Sequence, residues 1–580
     1  MSFDQVAAHV RRGEIGRRTF VRTPFGRRLV TYADLTATGR ALAPVEALVA
    51  AARPLYANTH TAISTTGRVT TRLRESARDA IARAVNAGRD DVVLFVGSGA
   101  TSAVNKLVGL LGLRISEPLE RAYGLSRHLP ADERPVVLVS PYEHHSNQLP
   151  WLESVAEVVE VELDGDGQVD LADLDRKAAR YAGRPLRVGA FSAGSNVTGA
   201  LTDVRAVARV LHRRGFLACA DYAAAGPYVP IDMHPADPDE RLDAIVVSTH
   251  KFAGGPEGSG ILVAHRDLFR SRTPERPGGG TVEYVAAFDR LSVDYTERLA
   301  EREEGGTPDI LGDVRAGLAF LVKEALGPEA ILAHETALAE RAMARLRRHP
   351  RIQLYGPARG PRLPILSFNV EGLHHDFVSA LLDHLFGIQN RAGCSCAGPY
   401  GHRLLGIGPE RSGELRRAIA LGVLALKPGW VRISLPYTAT DEEIEFLLEA
   451  VELVADHGEA FLPLYRLGWG DGMWRPLDAA PADPVPVELT VEAVRAALLR
   501  DEPPATPAEE PVTDAQAAAL RRDYLDEARR LARELEARHA AQPPRWNPPT
   551  GDAFVDRLVW FRYVHADPST PAAQEPLAHP

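Results

Sequence analysis

Five short apolar runs in the first half of this chain each stop at a glycine turn or a polar side chain, ending at Gly97, His144, Asn196, Asp221 and Lys251. The runs are rich in β-branched residues and too short for helices, so they read as buried strands, and helical patterns such as 204–214 lie between them. Strands alternating with helices describe an open α/β sheet, and in such a sheet a ligand sits beyond the strand ends.

The last of these runs carries the most informative side chain. Ile245 to Val247 and Ile261 to Val263 flank a turn containing Gly254, Gly255, Pro256, Gly258 and Gly260, so Lys251 falls between two strands. An amine in a partly apolar spot loses hydration of its charged form, its pKa falls, and it becomes a nucleophile for a carbonyl. A solvated loop lysine has the same local sequence, so its neighbours decide. Gly97 and Gly99 open a helix whose free N–H groups favour a phosphate, without the Gly-Lys-Ser of a Walker loop or the spacing of a dinucleotide loop. His144 offers a flat ring that can stack on an aromatic ligand and move protons near neutral pH. The adjacent His145 raises the question of a metal, but no further ligand stands at a useful spacing and none is expected. Asp221 leaves a buried strand, which costs desolvation unless a cation meets it, and a pyridinium nitrogen is such a cation.

In the second half, Arg391-Ala-Gly-Cys-Ser-Cys396 is a loop of small residues around two thiols, and a thiol with cationic neighbours ionises readily. Arg432, inside a strand, needs an anion; its fork suits a carboxylate, and an internal ion pair is the alternative. Cys394 reads as a bystander, a sulfur relay or half of a weak metal motif, and Cys219 as a small core residue.

The formal charge of −10 over 580 residues argues against a nucleic-acid surface, which needs clustered Lys and Arg. Three cysteines are too few for a disulfide framework in a chain this long, and no apolar run approaches a membrane span, so cytoplasmic residence is expected. The length corresponds to several domain-sized units: an arm over 1–40, a large domain over 41–311, a small domain over 312–455, and an extension over 456–580. The arm is expected to hold a short helix, 312–348 to be one long helical run, and the extension to contain a Pro-rich linker at 502–512, a charged helix at 514–541 and a disordered end.

Taken in order, the motif around Gly97, the Glu-His-x-x-Asn that begins at Glu143, the strand-end Asn196 and Asp221, Ser-x-His-Lys251, Glu-x-Gly-Thr307-Pro and Arg391-x-Gly-x-x-Cys396 resemble the class V aminotransferase family, which includes the cysteine desulfurases. The resemblance covers about residues 30 to 455 and implies the pyridoxal-phosphate-dependent transferase fold type I. That fold is a mostly parallel seven-stranded sheet flanked by helices, with a smaller α+β domain, here followed by a mainly helical extension. It implies pyridoxal 5′-phosphate on Lys251, with the phosphate held by Ala100, Thr101, Ser248 and His250, and by Thr307 reaching across a homodimer. It also implies His144 stacked on the ring, Asn196 at its phenolic oxygen and Asp221 at its nitrogen. Arg391 and Arg432 would contact an amino-acid substrate, and Cys396 would take its sulfur as a persulfide, for delivery to an acceptor protein. The expected reaction is desulfuration of L-cysteine. Ala224 departs from the family, which usually has a glutamine there, and leaves open an aminotransferase, epimerase or C–S lyase acting on another amino acid. A non-catalytic scaffold is the remaining alternative.

Overall fold

The computed structural model describes residues 2–61, 63–288, 292–478, 489–499 and 512–567. Its centre is a seven-stranded sheet in the order Asp91–Phe95, Ile261–His265, Ala244–Val247, Leu217–Asp221, Arg187–Ser192, Val136–Val139, Glu157–Glu160. Only Ile261–His265 runs against its neighbours, and the others are mutually parallel. Val136–Val139 and Ala244–Val247 are buried at every position, as strands covered on both faces must be. One face packs against a cluster containing Phe191, Phe320 and Ile331, and the other against Val104, Leu107 and Trp151. The helix Thr65–Ala84 lies so close to Ile310–Leu326 that a Cβ at Gly317 would fall 2.6 Å from that of Ala77.

The single helical run expected over 312–348 is two helices. Gly327, at φ +85°, ends Ile310–Leu326, and Pro328 begins Pro328–Leu346, since proline lacks the N–H an interior turn needs. The second helix leads to a four-stranded antiparallel sheet, ordered Ile352–Leu354, Ile365–Val370, Trp430–Ser434, Arg391–Gly393, and covered by His375–Phe386 and Asp441–His457.

The N-terminal arm holds a helix, Phe3–Gly13, and a hairpin, Phe20–Thr23 with Gly26–Leu29. The segment Thr31–Tyr32 then pairs in parallel with Ile388–Gln389. The extension packs back on the small sheet's helices: Trp474, Phe561 and Tyr563 are nearly fully buried in the same core as Phe377 and Leu381, and Trp560 stacks on His374 at 5.4 Å. The helix Asp514–Ala541 opens with a capping box between Thr513 and Gln516 and buries Arg521, Tyr524 and Ala528. Most of the expected linker at 502–512 and the expected disordered end lie outside the described residues. Among the described residues no helix is long and apolar enough to cross a membrane.

Candidate active site

A cavity of about 210 Å³ lies where the strand ends of the large sheet face the small sheet. The large sheet's loops bring Ala100, Thr101, His144, Asn196, Asp221, Ser248, His250 and Lys251 to its wall. The small sheet adds Arg391, Cys396 and Arg432. Thr307 does not reach this chain's cavity: it is exposed and accepts a hydrogen bond from Asn58 Nδ2 at 3.2 Å, in a surface cluster with His60.

At one end the chain forms an anion cradle. Gly99 sits at φ +56° at the start of the helix Gly99–Leu110, and a Cβ there would lie 2.8 Å from Ser248 Oγ. The Ala100 N–H donates to Ser248 Oγ at 2.9 Å, which leaves the serine's own proton for a group in the cavity. Thr101 Oγ1 lies 2.6 Å from Ser146 Oγ, and Ser146 also touches His144 Nδ1. Because His144 Nδ1 accepts the Ser146 N–H, the proton of the neutral ring is on Nε2. Burial, with Lys251, His145 and the two arginines nearby, brings His144 down to about 3, so the ring is uncharged at neutral pH. Burial and Lys251 bring His250 to about 4.

Lys251 ends a short turn anchored by Thr249, whose hydroxyl donates to Ser259 O at 2.6 Å. Burial, opposed by Asp221 and reinforced by Arg432 and Arg391, lowers its amine to about 8. Burial pushes Asp221 up despite the Ala223 N–H and Lys251, so its carboxylate is short of positive charge. Behind His144 stands Glu143, fully enclosed and accepting from Ser140, Ser192 and Asn147. Burial outweighs those bonds and raises it to about 7.

The other end is built across the two sheets. Arg391 and Arg432 are directly opposite each other on adjacent antiparallel strands, an arrangement of like charges that needs an anion. Part of that anion is Asp34, which accepts from Arg432 Nη2 at 2.7 Å. Arg432 Nη1 donates to Asn196 O at 3.0 Å, and its Nε has no partner. The Arg391 side chain makes no hydrogen bond or ion pair with a described residue. Ser395 and Cys396 both have left-handed backbones, φ +51° and +56°, which non-glycine residues adopt at a cost. Large-sheet groups hold them there: Asn196 Nδ2 donates to Ser395 O at 2.8 Å, the His145 N–H to Cys396 O at 2.9 Å, and His145 Nε2 accepts the Gly398 N–H at 3.1 Å. His145 therefore points at the cysteine loop. Cys394 does not line the cavity and packs instead against the large domain's core.

The model of the class V aminotransferases matches residues 31–447. The chain belongs to that family. A "Probable cysteine desulfurase" of Halalkalibacterium halodurans is 30% identical over 375 residues, covering 64% of this chain and 84% of that relative. A "Cysteine desulfurase" of Pectobacterium atrosepticum is 31% identical over 350 residues, 59% of this chain and 78% of the relative. The apo structure of a cysteine desulfurase from Thermococcus onnurineus NA1 superposes with a TM-score of 0.59 at 25% identity, over 74% of this chain and 95% of that one. The family match of this class V aminotransferase stops in the helix Asp441–His457, so everything after it, including the long helix Asp514–Ala541, is outside the matched region.

Sequence reasoning gave no role in the class V site to Asp34, to Ser146 or to Glu143, the first residue of the Glu-His-x-x-Asn motif. Ser146 had a local signal, its place two residues after His144 in one polar cluster. Asp34 lies in the turn after Tyr32 that the family resemblance places at the border of the site, but nothing local names its partner, which is 398 residues away.

The wall suits pyridoxal phosphate on its donor set alone. A cradle of hydroxyls at a helix start, a buried carboxyl lacking a cation, a flat neutral imidazole and an amine of lowered pKa match the group's phosphate, ring nitrogen, ring face and aldehyde.

Proposed function

We propose that this protein is a pyridoxal-phosphate-dependent cysteine desulfurase, converting L-cysteine to alanine with transfer of the sulfur to Cys396. The observation that carries this reading is the presence of Lys251 and Cys396 on one small cavity, facing an arginine pair that is one carboxylate short of balance. Ala100, Thr101, Ser248 and His250 would hold the phosphate, Asn196 and Asp221 the ring's polar atoms, and His144 its face. When bound, pyridoxal phosphate supplies an electron sink conjugated to the substrate's α-carbon.

Arg391 and Arg432 then orient the substrate carboxylate, and a carboxylate held by two guanidinium groups fixes the side-chain sulfur on the Cys396 side of the cavity. Lys251, with its amine near 8, is able to take the α-proton once displaced and to return a proton later. The Cys396 thiolate bonds to the substrate sulfur as the carbon–sulfur bond breaks. The carbon keeps the electron pair and takes a proton, which gives alanine and leaves Cys396 as a persulfide. A protein thiol is the expected acceptor. Thr307, exposed beside Asn58 and away from this chain's cavity, is free to reach the second site of a homodimer.

The deciding experiment measures sulfide and alanine release from L-cysteine by the cofactor-loaded protein with a reducing thiol. Wild type should release both in equal amounts, and Cys396→Ala should lose sulfide release. A second reading, another class V reaction on a different amino acid, is favoured by Ala224, which is buried and offers no donor where the family has an amide. It gains if the loaded wild type releases neither product.

A further inference from the structure

The helix Asp514–Ala541 is outside the family match, yet it grips the arm segment that leads into the substrate end. Three positions along the helix meet three points within residues 28–31 of the arm, in reversed order. Glu527 pairs with Arg28 at 2.8 Å, the Tyr524 hydroxyl accepts the Leu29 N–H at 3.1 Å, and Arg521 Nε donates to Thr31 Oγ1 at 3.2 Å. Arg521 is only 6% exposed, and its Nη2 also bonds Glu443 at 2.9 Å, whose other oxygen takes Arg17. Burial pushes Glu443 up, but Arg521 and Arg17 outweigh it and hold the carboxyl below its usual range.

From Thr31 the chain runs straight into the site. The Thr31 N–H bonds Gly387 O, the Ala33 N–H bonds Gln389 O at 2.8 Å, and Ala33 O accepts the Ser434 N–H at 2.7 Å. Ala33 thus bridges Gln389, two residues before Arg391, and Ser434, two residues after Arg432, and Asp34, the next residue, holds Arg432. We propose that the extension helix positions the substrate arginines: Arg521, through Thr31 and Asp34, fixes the spacing of Arg391 and Arg432 and so the fit of a single α-carboxylate. With Asp34 on Arg432 the pair has one positive charge unmatched, which selects amino acids with no second carboxylate. Arg521 is a positioning residue, and the assignment rests on the site described under Proposed function.

Arg521→Lys keeps a cation for Glu443 but lacks the planar fork and the Nε–H for Thr31. Thr31→Val removes the acceptor and keeps the β-branched shape, whereas Thr31→Ser retains the hydroxyl. Arg521→Lys and Thr31→Val are each expected to raise KM for L-cysteine about tenfold, with kcat and the visible absorbance of the bound cofactor within about twofold of wild type. The double variant should be no worse than either alone, and Thr31→Ser should match wild type. Calorimetric titration with L-alanine should show the same weakening without turnover. If the variants bind L-alanine as wild type does, or if the two effects multiply, the proposal is overturned. Equal loss of KM, kcat and thermal stability that Thr31→Ser does not rescue also overturns it. If L-alanine binding weakens as expected while wild type releases no sulfide from L-cysteine, the positioning role stands and the desulfurase reading falls.

Discussion

The two ends of the cavity are built differently. The cofactor end is made by loops that leave neighbouring strands of one sheet, with each side chain a few residues from a strand end. The amino-acid end is made by contacts between the arm, the large sheet and the small sheet, over sequence separations of 199 for Asn196 with Ser395, 236 for Asn196 with Arg432 and 398 for Asp34 with Arg432. The first is local geometry repeated, and the second is tertiary assembly. Substitutions at the first end should therefore act on the cofactor, and those at the second on the substrate alone.

The largest effect tests the first half of that statement. Lys251→Ala should abolish the visible band of the lysine-bound cofactor and lower activity by at least about 10³-fold, with the circular dichroism of the fold unchanged. A band that survives would remove Lys251 from its role. Next in size, Arg432→Lys should leave the band intact and raise KM for L-cysteine by about 10- to 100-fold, since a point charge replaces a fork with charge-assisted bonds. A lost band in that variant would break the division between the ends.

Two smaller effects sharpen the first end. Glu143 is surrounded by donors, so Glu143→Gln turns an N–H₂ toward the Asn147 amide and should cost about 1–3 kcal/mol, read as a lower melting temperature. For Lys251 the sign follows from its lowered pKa: the amine is charged below about 8 and free above it. The rate at which cofactor-free protein captures added pyridoxal phosphate should rise from pH 6.5 and level off above about 8. A rise that continues to pH 10 would mean the amine is not desolvated as described.

The same contrast explains what could be read from the amino-acid sequence. The sheet and the residues at its strand ends were visible because a buried run followed by a polar residue is a local pattern, as in Val136–Val139 followed by His144. The break at Gly327–Pro328 was also locally encoded, and the helical period on either side obscured it. Arg432 was recognisable as a buried cation in need of an anion, but which anion depends on where Asp34 arrives from the arm, and no periodicity reports that. The purpose of the extension was hidden for the same reason: Arg521 is one of many charges on a charged helix until Thr31 is placed beside it.

The arm's dependence on the far end of the chain sets an order of events during synthesis. Thr31 leaves the ribosome 490 residues before Arg521, and at about 5–20 residues per second it waits about 25–100 s for that partner. A nascent chain can complete the large sheet, and with it the cofactor end, long before the strand that carries Asp34 has anything to lie against. Translation that stops before the helix Asp514–Ala541 thus yields a protein equipped to carry a reactive aldehyde but lacking a settled place for its amino acid. Coupling Thr31 to Arg521 makes the finished substrate end a marker that synthesis has passed the helix Asp514–Ala541.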